Sequence, residues 1–305
     1  MSLTRKQLDL LSRVVTHKEL TVNDLSTTTN TPLPYTSSML KELQNKGFIK
    51  TEKEGNSKTI QLADTQHASL LRKMILDQPH INLDVLTNKR PRILAAINCL
   101  NLRTWKEMQE AADTSYLTLQ RHMALFREMG LIQKKQAYII SPRFQTLREF
   151  LEAYQEYTQR KEAQRHANDA IVKWGCGDQF LLETEEHLNL TATGITAFPQ
   201  YRAPFITAKN LYLHTGKDRP LTLEDHLINH VLSEGVSNIM PLLITWRLNQ
   251  DNIDKDELKA KAYKFRVDET INSVIDYLDT EGAVKAPFLP DWDEFTNKYR
   301  EYSHD

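Results

Sequence analysis

Apolar residues in the first half of the chain form a pattern that returns after 83 positions. In the first copy, Leu8, Leu11 and Val15 recur at the spacing of one helix face and predict a helix over residues 4–16. Residues of the same class that lie 83 positions apart are Leu11 and Leu94, Val14 and Ile97, Thr21 and Thr104, Leu25 and Met108, Leu40 and Met123, Leu43 and Phe126, and Gly47 and Gly130. A fixed period of this kind indicates a structural unit that occurs twice.

Each copy predicts three helices followed by a β-hairpin. We expect helices over 4–16, 21–28 and 35–45, strands over 48–52 and 58–62, and in the second copy a shorter hairpin within 131–140. Thr21 can cap the second helix, with Asp24 in its first turn, and Gly47 can end the third helix in the left-handed conformation. The Pro-Leu-Pro run at 32–34 predicts a turn before that helix. This order of elements is typical of a winged helix-turn-helix unit.

The residues that close the third helix of each copy carry a resemblance to a known family. They are Leu40, Leu43, Gly47, Phe48 and Ile49 in the first copy, and Met123, Phe126, Gly130, Leu131 and Ile132 in the second. This pattern resembles that of the MarR- and ArsR-type winged-helix regulators, over about residues 1–145. The resemblance implies that the third helix of each copy enters the major groove of DNA by its N-terminal residues.

Hydroxyl, amide and cationic side chains at those positions suit phosphates and base edges. In the first copy the candidate DNA-binding residues are Tyr35, Thr36, Ser37, Ser38 and Lys41 on the third helix, and Lys50, Lys53 and Lys58 on the hairpin, or wing. In the second copy they are Ser115, Tyr116, Thr118, Gln120, Arg121, Lys134 and Lys135. We expect the first copy to lead, because its wing is longer and more basic.

The whole chain is predicted to be mainly α-helical and of the α+β class. The predicted domains are a winged helix over 1–66, a connecting helix over 67–82, a second winged helix over 83–142, a linker or dimerisation helix over 143–168, and a C-terminal α+β domain over 169–305. A helix flanking a winged unit commonly forms a dimer seam, so a homodimer is expected, although two tandem units could also let a monomer span two half-sites.

The C-terminal domain is expected to have strands first and helices after. A turn is predicted over 174–178, strands over 179–183, 190–198 and 205–214, and helices from Thr222 onward, including 239–248, 256–265, 267–278 and 292–299. Thr222 can cap the first of these helices, with Glu224 and Asp225 in its first turn.

Charge divides the chain in two. Residues 1–165 carry 25 Lys and Arg against 17 Asp and Glu, whereas residues 166–305 carry 14 against 23. A basic half can bind phosphates by releasing counterions, whereas the acidic half is expected to meet protein, a small-molecule effector or solvent. No apolar run is long enough to cross a membrane and no secretory signal is visible, so a cytoplasmic protein with two reduced cysteines is expected.

Two histidines of the C-terminal half raise the question of a metal site. His226 and His230 stand at i, i+4, which can place two imidazoles on one metal ion, and Glu224 and His214 are possible further ligands. The spacing differs from the H-E-x-x-H arrangement. We therefore expect one buried and one exposed histidine, with no metal and no cofactor.

A second resemblance concerns the segment from Leu221 to His230. Its Leu-Thr-x-Glu-Asp-x-x-x-x-His pattern is similar to that of AbiEi-type antitoxins and related archaeal winged-helix proteins. That similarity implies a promoter-binding antitoxin that opposes a nucleotidyltransferase toxin. Three hypotheses follow: a sequence-specific regulator that binds double-stranded DNA, such an antitoxin, and a tandem winged-helix module that binds proteins instead. A further rival is an enzyme that acts through Asp225, His226 and His230 of the C-terminal domain. No nucleophile motif is recognisable, so the chain is not expected to be an enzyme.

Overall fold

The chain folds into two compact units. A computed structural model describes residues 2–17, 20–54, 57–216 and 220–303, without the side chains of 53, 54 and 57. Residues 1–98 and 102–158 form the first unit, here the front unit, and residues 99–101 and 159–305 form the second, here the back unit. Both predicted winged-helix segments lie in the front unit, apart from residues 99–101.

The first copy contains the predicted three helices and hairpin. Its elements are α1 (Arg5–Thr16), β1 (Leu20–Thr21), α2 (Val22–Thr28), α3 (Leu33–Asn45), β2 (Ile49–Glu54) and β3 (Ser57–Leu62), and the strands pair antiparallel in the order β1-β3-β2. Thr21 caps α2 as predicted, because its hydroxyl accepts the Asp24 N–H while the Asp24 carboxylate accepts the Thr21 N–H. The third helix begins two residues earlier than predicted, since Pro34 occupies its first turn, where no N–H is needed.

The second copy repeats this order at the 83-residue offset. After the connecting helix α4 (Gln66–Asp77), its elements are α5 (Arg90–Cys99), α6 (Trp105–Ala112), α7 (Tyr116–Glu128), β4 (Ile132–Lys134) and β5 (Tyr138–Ile140). Adding 83 to the bounds of α3 gives the bounds of α7. Thr104 with Glu107 forms the same reciprocal cap on α6 that Thr21 forms on α2. The repeat seen in the sequence is therefore a repeat in structure.

An aromatic cluster packs around Phe48 of the first copy. Its members are Phe48, His67, Phe150, Tyr154 and Tyr157, of which the last three lie on α8 (Gln145–His166). The Phe48 ring, fully buried, lies 4.7 Å from the His67 ring and 5.0 Å from the Tyr154 ring. The His67 Nε2 donates to the Lys46 carbonyl at 3.0 Å, just where α3 ends. The cluster thus joins α8 to the junction of α3 and the wing.

Two equivalent glycines end α3 and α7 and differ in what surrounds them. Gly47 has φ +74° and Gly130 has φ +60°, both left-handed. A Cβ at Gly47 would collide with the Tyr157 ring, whereas a Cβ at Gly130 would meet the flexible guanidinium of Arg143. The same substitution therefore meets a packed ring at one position and a movable side chain at the other.

Gly47→Ala is expected to destabilise the front unit more than Gly130→Ala does. Left-handed strain costs both variants about 1 kcal/mol or more, and the Tyr157 ring must also be displaced in the first. Denaturant titration of the two variants checks this, each serving as the other's control. Equal losses would mean that backbone strain alone sets the cost and that the Tyr157 contact contributes nothing.

The back unit combines a four-stranded antiparallel sheet with helices. Its strands are β6 (Ile171–Cys176), β7 (Gln179–Thr184), β8 (Thr191–Ala192) and β9 (Asn210–His214), in the order β6-β7-β9-β8. Its helices are α9 (Leu223–Glu234), α10 (Met240–Leu248), α11 (Lys255–Phe265), α12 (Asp268–Asp279) and α13 (Trp292–Arg300). The largest core of this unit lies among α9–α13 and includes the fully buried Leu227, Leu242, Ile271 and Phe295.

Three predictions about this sheet were wrong in detail. Residues 174–176 belong to β6, so the turn is limited to Gly177 and Asp178, with Gly177 at φ +61°. The strands predicted over 190–198 and 205–214 shrink to β8 and β9. After β8 the chain turns at Gly194, whose φ is +52°, and this ends the pairing.

The predicted fold class, mainly α-helical with small antiparallel sheets, is confirmed. The division into two winged-helix domains and one C-terminal domain stays a prediction. Within the described ranges, no helix combines the length and the apolar character that crossing a membrane requires.

Candidate nucleic-acid interface

The exposed faces of α3 and α7 carry about half of the candidate DNA-binding residues. On α3, Ser37, Ser38 and Lys41 are exposed, and on α7, Gln120 and Arg121 are exposed. Gln120 and Arg121 stand 83 positions after Ser37 and Ser38, so the two helices present equivalent sites with different chemistry. The hydroxyls on one helix and the amide on the other can both donate and accept hydrogen bonds at base edges, whereas the guanidinium can only donate.

Thr36 does not belong to this face, and its prediction as a DNA-binding residue was wrong. The side chain is fully buried and its hydroxyl donates to the Thr31 carbonyl at 3.3 Å. The equivalent residue in the second copy is Leu119, which is also fully buried. The apolar partner at the 83-residue offset was the sequence signal that Thr36 points into the core.

Exposed aromatic rings lie at the start of both helices. Tyr35 is 48% exposed, and the Lys6 ammonium lies 5.2 Å from its ring centre. Tyr116 is 52% exposed and its ring lies 5.7 Å from that of Trp105, over which the Arg127 guanidinium is placed at 5.6 Å. Lys6, Trp105 and Arg127 were not predicted as site residues. Lys6 lies on α1 and Trp105 on α6, which helical spacing alone cannot bring to these rings, and Arg127 lies in the last turn of α7.

Ser115 and Thr118 are occupied in holding the N-terminus of α7. The Ser115 hydroxyl donates to the Thr118 hydroxyl at 2.9 Å and accepts the Thr118 N–H at 3.4 Å. Ser115 is the N-cap residue of the helix and is exposed, while Thr118 is half-buried. Their structural role is therefore to fix the helix end that carries Gln120 and Arg121.

The first wing is less positive than its lysines suggest. The Lys50 ammonium lies 2.9 Å from the Asp64 carboxylate and 3.2 Å from that of Glu52. These contacts, led by the hydrogen bond to Asp64, raise the pKa of Lys50. Lys58 is exposed, and the side chain of Lys53 lies outside the described residues. Since the charge of Lys50 is largely balanced by its partners, this wing attracts phosphate less than expected.

The second wing is short and carries two exposed cations, Lys134 and Lys135. The Lys134 ammonium lies 5.3 Å from the centre of the Tyr138 ring, so its partner is an aromatic face that leaves the positive charge in place. Together with Arg121, these lysines give the second copy three exposed cations among its predicted DNA-binding residues.

In the back unit, α9 buries a row of polar residues. Glu224, Asp225, His226, Asn229 and His230 are each less than one tenth exposed. The prediction of one buried and one exposed histidine was wrong, because His226 and His230 are both buried.

Residues 187–304 match a protein family described as "HVO_2833_C, C-terminal". The match covers α9 and the rest of the helical core, and less than half of the chain. The search of curated proteins and that of solved structures found no match.

The partners of the α9 row lie within the back unit. Thr193 Oγ1 accepts from Asn229 at 2.8 Å and lies 3.1 Å from His226 Nδ1, while His230 Nε2 lies 2.7 Å from the Asn238 carbonyl. Burial lowers the pKa of His226 to about 4, so its ring is neutral near pH 7. Among the residues that the structure describes, no three His, Cys, Asp or Glu side chains are grouped so as to hold a metal ion.

The acidic residues of this row are also paired. The Asp225 carboxylate lies 2.8 Å from the Lys261 ammonium and accepts the Thr222 N–H, which completes the predicted cap of α9. The Glu224 carboxylate accepts the Asp254 N–H at 3.0 Å. These contacts hold α9 against α11, and they give each of the two buried carboxylates a hydrogen-bond or ionic partner.

Proposed function

We propose that this chain is a transcriptional regulator that binds double-stranded DNA at a specific sequence through α3, α7 and their wings. The observation that carries the proposal is the pair of equivalent helices, α3 and α7, whose exposed faces bear polar residues at matching positions. Each helix is followed by a hairpin that bears exposed lysine, and the front half of the chain carries the excess of positive charge. Phosphate contacts position such a protein, while contacts to base edges specify the site.

The second copy, rather than the first, is proposed to contribute most of the affinity. Arg121, Lys134 and Lys135 are exposed, whereas Lys50 in the first wing is held by two carboxylates. Gln120 and Arg121 also have the geometry to bind adenine and guanine in bidentate fashion. A homodimer and an effector or protein partner for the back unit remain part of the proposal.

Selection of bound duplexes from a random library, followed by affinity measurement across salt concentrations, tests the proposal. Log affinity should fall linearly with log salt. The triple variant Arg121→Glu, Lys134→Glu, Lys135→Glu should bind at least about tenfold more weakly and lose about 0.9 of slope for each phosphate contact removed. Lys41→Glu with Lys58→Glu should have a smaller effect.

The control is a variant with the same change of net charge on exposed residues away from these elements: Arg72→Glu, Lys73→Glu, Lys259→Glu. An equal loss in the control would show that affinity reflects only overall charge. A chain with no affinity for any duplex at about 50 mM salt, where phosphate contacts are strong, would contradict the proposal. The exposed Tyr116 and Leu117 would then favour the alternative, a module that binds proteins.

A further inference from the structure

The two cysteines of the chain meet in the back unit. Cys99 is the last residue of α5 and Cys176 is the last residue of β6, and the chain contains no other cysteine. Neither is in a disulfide, and the side chains of the two are hydrogen-bonded to each other. Two residues far apart in sequence are thus placed in side-chain contact, although nothing in their sequence spacing predicts it.

Hydrogen bonds hold the segment that carries Cys99. The Asn101 N–H donates to the Lys264 carbonyl at 2.9 Å, and the Asn101 side-chain amide donates to the Tyr263 carbonyl at 3.0 Å. Arg266 donates to the Asn101 side chain at 3.1 Å and to the Leu100 carbonyl at 3.3 Å. Residues 99–101 are therefore fastened to the C-terminal end of α11.

The surroundings of the two thiols differ. Cys176 is 4% exposed, whereas Cys99 is only partly buried, so we expect a small oxidant to reach Cys99 first. The hydrogen bond to Cys99 and burial raise the pKa of Cys176, while the positive charges of Lys264 and Arg266 act in the opposite direction. Because the net effect is a raised pKa, Cys176 stays a thiol more readily than it forms the thiolate, which is the reactive form.

We propose that Cys99 and Cys176 are an oxidation site that forms a reversible intramolecular disulfide with hydrogen peroxide. The Cys99 thiolate attacks one peroxide oxygen, the O–O bond breaks, and the released hydroxide takes a proton and leaves as water. Cys99 is then a sulfenic acid. Cys176 loses its proton and attacks the Cys99 sulfur, the S–O bond breaks, and a second water leaves. Two thiols and one peroxide thus give one disulfide and two waters.

The disulfide would link the end of α5 to the end of β6 and would close a covalent loop of the chain from residue 99 to residue 176. In the reduced protein the segment 99–101 is fastened to α11 by the hydrogen bonds described above. Oxidation would add a covalent attachment to the sheet of the back unit. The inference is independent of DNA binding, because its readout is the state of the two sulfur atoms.

Treatment of the full-length chain with hydrogen peroxide, followed by thiol titration, intact mass and non-reducing peptide mapping, tests this proposal. Both thiols should disappear together, with loss of the mass of two hydrogen atoms and a linked peptide containing Cys99 and Cys176. Dithiothreitol should restore both. In Cys176→Ser, Cys99 should stop at a sulfenic acid that dimedone traps, whereas in Cys99→Ser the remaining thiol should react more slowly than Cys99 does.

Three outcomes would overturn the proposal. Linkage only between chains would show that the two thiols cannot reach each other within one molecule. Oxidation of Cys99 to a sulfinic acid while Cys176 remains a thiol would show that Cys176 does not resolve the intermediate. Equal reactivity of the two single variants would remove the assigned order of reaction.

Discussion

Replacement of Phe48 by alanine is expected to lower the free energy of unfolding of the front unit by about 3–5 kcal/mol, the range for truncation of a buried phenylalanine. The Phe48 ring is fully buried and contacts three rings of the aromatic cluster, those of His67, Phe150 and Tyr154. Because α8 supplies two of these rings, the cavity would loosen the attachment of α8 as well as the wing. Native-state hydrogen exchange is the appropriate measurement, since it reports the stability of each unit separately.

Phe295→Ala is the matched control in the other unit. Phe295 is also fully buried and lies on α13 of the back unit. It should accelerate exchange in α9–α13 and leave the amides of β2 and β3 protected, whereas Phe48→Ala should do the reverse. Unchanged protection of β2 and β3 in Phe48→Ala would mean that the aromatic cluster does not hold the wing.

Acidification from pH 7 to about 4 should destabilise the front unit by about 2–3 kcal/mol through His67 alone, given 1.36 kcal/mol for each unit of pKa difference. Burial lowers the pKa of His67 to about 4, and the hydrogen bond to the Lys46 carbonyl opposes this shift only in part. The unfolded chain takes up a proton near pH 6.5, whereas the folded unit keeps the ring neutral until about pH 4. The stability contributed by the neutral ring is therefore complete above pH 6.5 and is lost as the pH falls from 6.5 to 4.

His67→Gln isolates this effect, because an amide can still donate to the Lys46 carbonyl but does not titrate. The variant should be less stable at pH 7 and should have a shallower dependence of stability on pH between 6.5 and 4. Hydrogen exchange in β2 and β3 across this range measures the difference. The same slope in both proteins would show that the titration arises elsewhere, for example from the carboxylates whose pKa is lowered, such as Asp24.

The helices of the repeat were predictable because short-range chemistry marks their ends. Thr21 with Asp24 caps α2 within three residues, and Gly47 ends α3 in a conformation that favours glycine. Strand lengths in the back unit were not predictable, because they depend on contacts with segments distant in sequence. The Thr193 N–H still bonds to the Leu211 carbonyl, and the chain then turns at Gly194, where a Cβ would press on the Leu211 side chain. The sequence of residues 190–198 by itself does not indicate this contact with Leu211.

Predictions made from residue type alone were wrong for part of the candidate interface. Thr36 has the chemistry to bind DNA, yet its position on α3 faces the core, as Leu119 does on α7. Lys50 has the positive charge that phosphate binding needs, but its ammonium is paired with the carboxylate of Asp64, which lies on a different segment. Helical phase could have been read from the repeat, whereas the Lys50–Asp64 contact depends on how the hairpin folds back.

The divergence between α3 and α7 has a consequence for how a target could be read. A palindromic site has the same sequence in both orientations, so a protein with two identical recognition helices binds it equally well in either orientation. This chain carries Ser37 and Ser38 on one helix and Gln120 and Arg121 on the other, in a fixed order. If one molecule binds as a monomer, rather than as part of a two-fold homodimer, it recognises an asymmetric site in one orientation. Inverting that site beside a promoter would then reverse the orientation of the bound protein.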